Sequence, residues 1–255
     1  MEARLNKTGL DPAKVTPSDL TAAIKSGWGI FRAAPLPSAA YASVAALIGL
    51  LLLYTVGELG ISPMSLPFAG GFMLIAPAML GGFFQLASRI QAHQEVSLAT
   101  PFSAFLHTPL QTWMVALFCA FIFLIWITDA GVLYSFIIGG TDLPYQLPWF
   151  LQVDESITSF WFWGALMGSV LAFIIFCISA FSVPLLFEGR VGLVQAVHAS
   201  VRAVFRNFLT TMLWAVLLSL SILIAIMLLP LLLLVLPVMA YASFALYRLV
   251  FPQTS

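Results

Sequence analysis

The sequence predicts an all-α integral membrane protein: six transmembrane helices with short cytoplasmic interfacial amphipathic helices. Three observations carry this. Apolar residues make up 62% of the 255 residues and charged residues only 8%, against about 25% charged in an ordinary soluble domain. The apolar residues fall into long runs, each of the order of the ~20 residues that cross a bilayer. The ten Lys and Arg residues all fall in connections on one side of those runs. Mean hydropathy is +1.05, which excludes a water-soluble globule.

The chain reads as one membrane domain behind a polar tail over residues 1–17. The first four spans are predicted at Leu36–Val56, Pro67–Ser88, Thr112–Leu133 and Ser159–Val183. The fifth run, Phe208–Val250, would be about 65 Å long as one helix, too long for a single crossing. It is predicted to break at Leu229-Pro230-Leu231, because proline removes a backbone donor and clashes with the preceding turn. That gives spans at 208–228 and 231–250.

Arg4, Lys7, Lys14, Lys25 and Arg32 precede the first span, and Arg89 follows the second. Arg190, Arg202 and Arg206 follow the fourth, and Arg248 ends the sixth. The opposite connections carry Glu58, Asp142, Asp154 and Glu155. The positive-inside rule then places both termini of a multi-pass protein in the cytoplasm. The polar N-terminal stretch lacks the pattern of a secretory signal, and no lipidation motif is present.

Two amphipathic helices are predicted on the basic side. Ser18-Asp19 supplies cap chemistry for a helix through about Phe31, with Leu20, Ile24, Trp28 and Phe31 on its apolar face. The second covers Gly189–Arg206, with Val194, Val197, Val201 and Val204/Phe205 opposed to Gln195, His198, Arg202 and Arg206. Lys25, Arg32, Arg202 and Arg206 are the expected contacts to lipid headgroups. The helices serve either as tethers or as lipid sensors. Ser26–Arg32 and Ser200–Arg206 align at Ser, Phe and Arg, and Pro101–Thr108 offers a weaker copy. The organisation therefore reads as three parallel repeats, each an interfacial helix followed by a membrane hairpin.

Gly164, Gly168 and Ala172 form a helix-packing face on the fourth span, open either to this chain or to a partner. Pro77, Pro184 and Pro237 are expected to bend spans two, four and six. Aromatics from Tyr145 to Trp163 read as an interfacial belt, and Leu143–Val153 as a short outer helix.

Chemistry is sparse. His93, His107 and His198 all lie in connections, so no haem or metal ligand is expected inside the bundle. Cys119 and Cys177 sit in apolar runs outside any CxxC pattern, so neither a disulfide nor a zinc site is indicated. Asp129 is the candidate ion or ligand site, with an interfacial carboxylate as the alternative. GxSxG, P-loop, HExxH and GxGxxG patterns are absent, so no catalytic, cofactor-binding or metal residues are assigned and an enzyme is not expected.

Several ordered motifs resemble one family: Gly27-Trp28-x-x-Phe31-Arg32, Gly70-Gly71-Phe72-x-Leu74-x-Ala-Pro77, Phe84-Gln85-Leu86-Ala-Ser-Arg89, Ser182-Val-Pro184, Ser200-Val-Arg202-Ala-Val-x-x-Asn207, and Leu236-Pro237 with Leu246-Tyr247-Arg248. The family is one of proteobacterial six-helix inner-membrane proteins of unknown function, and the likeness runs from Leu20 to Val250. Some members carry the label "cytochrome c oxidase subunit I-like". That label does not transfer, because an oxidase core needs intramembrane histidines and this chain has none. The chain also departs from the family's pattern, which carries Glu at Gln85 and histidines near Tyr241 and Ala245. The resemblance implies the fold and leaves the function open. The expectation is an accessory, assembly or scaffold component of a larger membrane complex, in contact with the bilayer and other subunits and not with nucleic acid. The alternative is a small transporter or a protein that binds lipid or another hydrophobic ligand.

Overall fold

A computed structural model describes residues 10–59, 61–65, 67–68, 77–139 and 155–252. The described residues are helical, without strands. In chain order the helices are α1 (Pro17–Ala33), α2 (Pro35–Glu58), α3 (Pro77–Gln91), α4 (Ala99–Leu106), α5 (Leu110–Ile137), α6 (Glu155–Ser179), α7 (Ser182–Phe187), α8 (Leu193–Arg206), α9 (Phe208–Met227) and α10 (Leu232–Val250). Five helices among the described residues are long and apolar enough to cross a membrane: α2, α5, α6 extended through α7, α9 and α10. Six spans are therefore not confirmed. The predicted second span, 67–88, meets α3 from Pro77 onward, and residues 69–76 lie outside the described residues. The long fifth run divides at a 3-10 turn, Leu229–Leu231, which contains Pro230.

Helix α1 starts two residues before the expected cap. Thr16 is the N-cap and Pro17 takes the first helical position, where its missing N–H costs nothing. The Asp19 carboxylate accepts the Thr16 N–H at 2.7 Å and the Thr16 hydroxyl at 2.8 Å, and these bonds hold its pKa below the ordinary value. The stabilisation is therefore complete above the unfolded carboxylate range and is lost as pH falls through the lower folded pKa. Amide exchange at Thr16 should accelerate on acidification, and Asp19→Asn should abolish that pH dependence. Ala34 separates α1 from α2 with φ −144° and ψ 65°, since a residue before proline is pushed out of the helical region.

The inward faces of α1 and α8 are built largely of small residues, while α3 and α10 bury Phe83, Phe84, Tyr241, Phe244 and Tyr247. Helix α1 buries Leu20, Ala23, Gly27 and Ile30, and lies along α10, where Leu20 and Ala23 meet Trp214, Met239, Ala242 and Leu246. Helix α8 buries Ala196, Ala199, Ser200, Ala203 and Val204. Trp28, Val194 and Phe205, on the apolar faces of the interfacial helices, are exposed to the surroundings of the bundle. In lipid the outside is as apolar as the core, so helices approach through small residues and turn large ones outward.

The same reasoning bears on the repeat. Each of α1, α4 and α8 stands directly ahead of a span, yet the three pack on different partners: α10, α3 and the α6–α7 junction. Leu20 is buried while its aligned counterpart Val194 is 80% exposed. The repeat architecture is not confirmed. The aromatic belt is divided too, because Phe160 is fully buried against Tyr134 while Phe162 and Trp163 are exposed. The predicted outer helix Leu143–Val153 lies outside the described residues.

The fourth span breaks where Pro184 dictates. A proline ring clashes with the carbonyl four residues back, and α6 ends at Ser179 with α7 beginning at Ser182. Ser200 of α8 is inserted into the opened ladder. Its hydroxyl accepts the Phe181 N–H at 3.1 Å and donates to the Cys177 carbonyl at 2.8 Å. Both groups are buried, so Ser200→Ala should cost about 1–3 kcal/mol in detergent unfolding. Ser200→Cys, which fills the same volume with a weaker donor, should recover only part of that loss.

Residues 10–16 form a strap across the same end of the bundle. Asn207, between α8 and α9, accepts the Val15 N–H at 2.9 Å and donates to the Ala13 carbonyl at 3.0 Å. The Ala13 N–H reaches the Val250 carbonyl at 2.8 Å, so the two ends of the described chain meet.

Candidate functional site

A cavity of about 540 Å³ lies between α3, α6, α9 and α10. Its size falls within the ~300–1,000 Å³ range of small-ligand sites. Pro77, Leu80 and Phe84 come from α3, and Ala172, Phe173 and Phe176 from α6. Met212, Ala215, Val216 and Leu220 come from α9, and Leu232, Leu236, Met239 and Leu246 from α10. Phe84 stacks on Phe244 at 4.7 Å, which fixes the α3 wall against α10. Helices α6 and α9 flank the cavity without packing along each other, so it is a groove open between them. Val216 and Leu220 on its rim are 53% and 54% exposed, which turns the opening toward the surface that meets lipid.

The lining offers little to a polar guest. Ser169, Ser179 and Ser243 return their hydroxyls to carbonyls of their own helices at 2.7–2.8 Å. Ser219 is the remaining lining serine, and its hydroxyl makes no hydrogen bond among the described residues. Among the described residues no charged side chain lines the groove. What such a slot does chemically is exclude water and hold a hydrocarbon.

One end of the groove, where the strap joins Asn207 to the end of α10, has defined neighbours. At the α8–α9 junction, Phe173 of the groove wall meets Phe205 edge-on at 6.2 Å and Phe208 at 6.3 Å. Arg202 and Arg206 there share one carboxylate, Asp11 of the strap, at 3.1 and 2.9 Å. Beyond Leu246, a polar clasp ties α10 to the end of α7. Arg248 pairs with Glu188 at 3.1 Å and also bonds Gln91, while the Tyr247 hydroxyl donates to Glu188 at 2.7 Å. Arg190 donates to the Tyr247 hydroxyl and to the Phe251 carbonyl.

The residues singled out from sequence are distributed as follows. Gly168 seats the Trp126 ring of α5, which would overlap any side chain there, and Gly164 faces Leu133. Ala172 lines the groove. Asp129 is half-buried on α5, away from the groove, and makes no ion pair among the described residues. Lys25 and Arg32 lie on the exposed side of α1. His93 and His107 are exposed, as is His198, and Cys119 and Cys177 are buried free thiols. Among the described residues no three His, Cys, Asp or Glu side chains converge as a metal site. Sequence reasoning missed the groove, the Ser200 bridge, the Asn207 clamp and the Glu188 clasp. Pro184 hinted at the bridge through the carbonyl it displaces, and Ser200 and Asn207 stood in one motif that did not reveal their partners.

This bundle of apolar helices is an integral membrane protein. Residues 65–188 fit the family model described as predicted integral membrane protein (DUF2189). The fitted stretch is just under half of the chain. It takes in α3 and α6, two walls of the groove, and stops short of α9 and α10. No curated protein and no solved structure matches the chain.

Proposed function

We propose that this multi-pass membrane protein is a non-enzymatic binder of a hydrophobic ligand, held in the groove between α6 and α9. The observation that carries this reading is the 540 Å³ apolar cavity opening between two apolar helices. The expected result is that protein purified in mild detergent retains about one acyl-chain lipid per chain by mass spectrometry. Filling the groove with Ala172→Phe and Ala215→Phe should remove that lipid without unfolding the protein. Equal retention by the filled variant would sink the reading.

An accessory or scaffold role in a larger complex is the second reading. It is favoured by Gly29 and Gly131, where an added methyl meets nothing within 4 Å, so a partner helix could come close. It is weakened because Gly27, Gly82 and Gly168 are already filled by this chain's own contacts. Recovery only as a free monomer in mild detergent would remove it. Coupled transport through Asp129 has no contact between that carboxylate and the groove to support it.

The proposed topology is six spans in the bacterial inner membrane with both termini cytoplasmic. The Ala13–Val250 hydrogen bond supports an even number of crossings, because it joins the two ends of the described chain at one end of the bundle. A reporter fused after Ser255 should be cytoplasmic, and one inserted at Asp154 should not.

A further inference from the structure

We propose that the groove takes one tail of an anionic phospholipid and that Arg202 and Arg206 take its headgroup; this rests on the hydrophobic-ligand reading above. The shape of the slot suits a linear chain. From Leu232 to Leu246 its α10 wall runs about 21 Å at 1.5 Å per residue, the reach of a single extended tail. Its open side faces lipid, so a tail can enter sideways while the rest of the molecule stays in the bilayer.

The charge at one end selects the headgroup. Phe205 and Phe208 rest on the groove-wall Phe173, so the α8–α9 junction that carries Arg206 lies at the end of the slot. Arg202 lies one helical turn away on the same face. Two guanidiniums share the single Asp11 carboxylate, which leaves one positive charge in excess. Both remain about one third exposed, at 32% and 34%, with donors free for a phosphate. The amphipathic helix that carries them also carries Ser200, so its position relative to the α6 wall is fixed by the hydrogen bonds of that serine.

The test titrates the delipidated full chain with phosphatidylglycerol and with phosphatidylcholine bearing the same tails, and reads bound lipid by native mass spectrometry. Phosphatidylglycerol should bind about tenfold more tightly, the order expected from two basic side chains at a membrane surface. Arg202→Gln with Arg206→Gln should equalise the two lipids. Asp11→Asn, which frees both guanidiniums, should widen the preference, and it keeps the test decisive if the double arginine variant unfolds. Equal binding of the two lipids by the wild type, abolished by Ala172→Phe and Ala215→Phe, would overturn the headgroup assignment and leave the groove reading standing. Binding of both lipids that survives the groove-filling pair would overturn both.

Discussion

Gly27→Ala is expected to lower the stability of the protein in detergent by about 1–3 kcal/mol, the cost of overpacking a closed contact. A methyl on Gly27 would stand 2.5 Å from the Val238 carbonyl oxygen and 2.8 Å from the Ala242 backbone nitrogen of α10. Neither atom can swing away as a side-chain tip can. The two helices must therefore separate, which also loosens Leu20 and Ala23 against Trp214. The matched control is Gly29→Ala, two residues along the same helix, where nothing lies within 4 Å. There alanine should stabilise by up to about 1 kcal/mol through helix propensity alone. Opposite signs at two neighbouring glycines, read by thermal unfolding, would establish that α1 is docked on α10 and is more than a tether in the headgroup plane. Equal small effects would contradict that docking.

Arg248→Met is the second large effect. Its guanidinium bonds Glu188 at 3.1 and 3.3 Å, bonds Gln91, and stacks 4.5 Å over Phe244. The Glu188 side chain is only 10% exposed and keeps the Tyr247 hydroxyl as a donor, so removing Arg248 takes a guanidinium and its hydrogen bonds from a carboxylate in a poorly hydrated place. Breaking a fully buried pair costs about 3–5 kcal/mol. Arg248 itself is 31% exposed, so the expected loss is nearer 2–3 kcal/mol. Adding Glu188→Gln should recover part of it, because the poorly hydrated negative charge is then gone. Arg248→Lys should fall between, as an ammonium keeps the charge and loses the fork. Strictly additive losses in the double variant would show that the pair is not coupled.

What the sequence made legible follows from what lipid demands. The long apolar helices and the division of the last run at Pro230 are written in hydropathy and in one proline. The inward faces are not, because hydropathy cannot separate lipid from core. Trp28, Val194 and Phe205 are apolar by type and face outward, while Gly27, Ala199 and Ala203 hold the contacts. The repeat is not confirmed: Ser26 and Ser200 align in sequence, but only Ser200 meets a broken helix. The groove was illegible because it is a gap between α6 and α9, and a gap has no residue of its own. The partners of Glu188 and Asn207 were illegible too, since they lie about 60 and 190 positions away in the chain.

The most direct measurement is a photolabelling map made with a phospholipid that carries a diazirine midway along one tail. Peptide mass spectrometry should find the label concentrated on residues 169–180 of α6 and 212–222 of α9. The label should leave those residues when Ala172 and Ala215 are both phenylalanine. Label spread evenly over the outward apolar faces, such as Leu117 and Phe121 of α5, with no excess in the groove, would contradict the account.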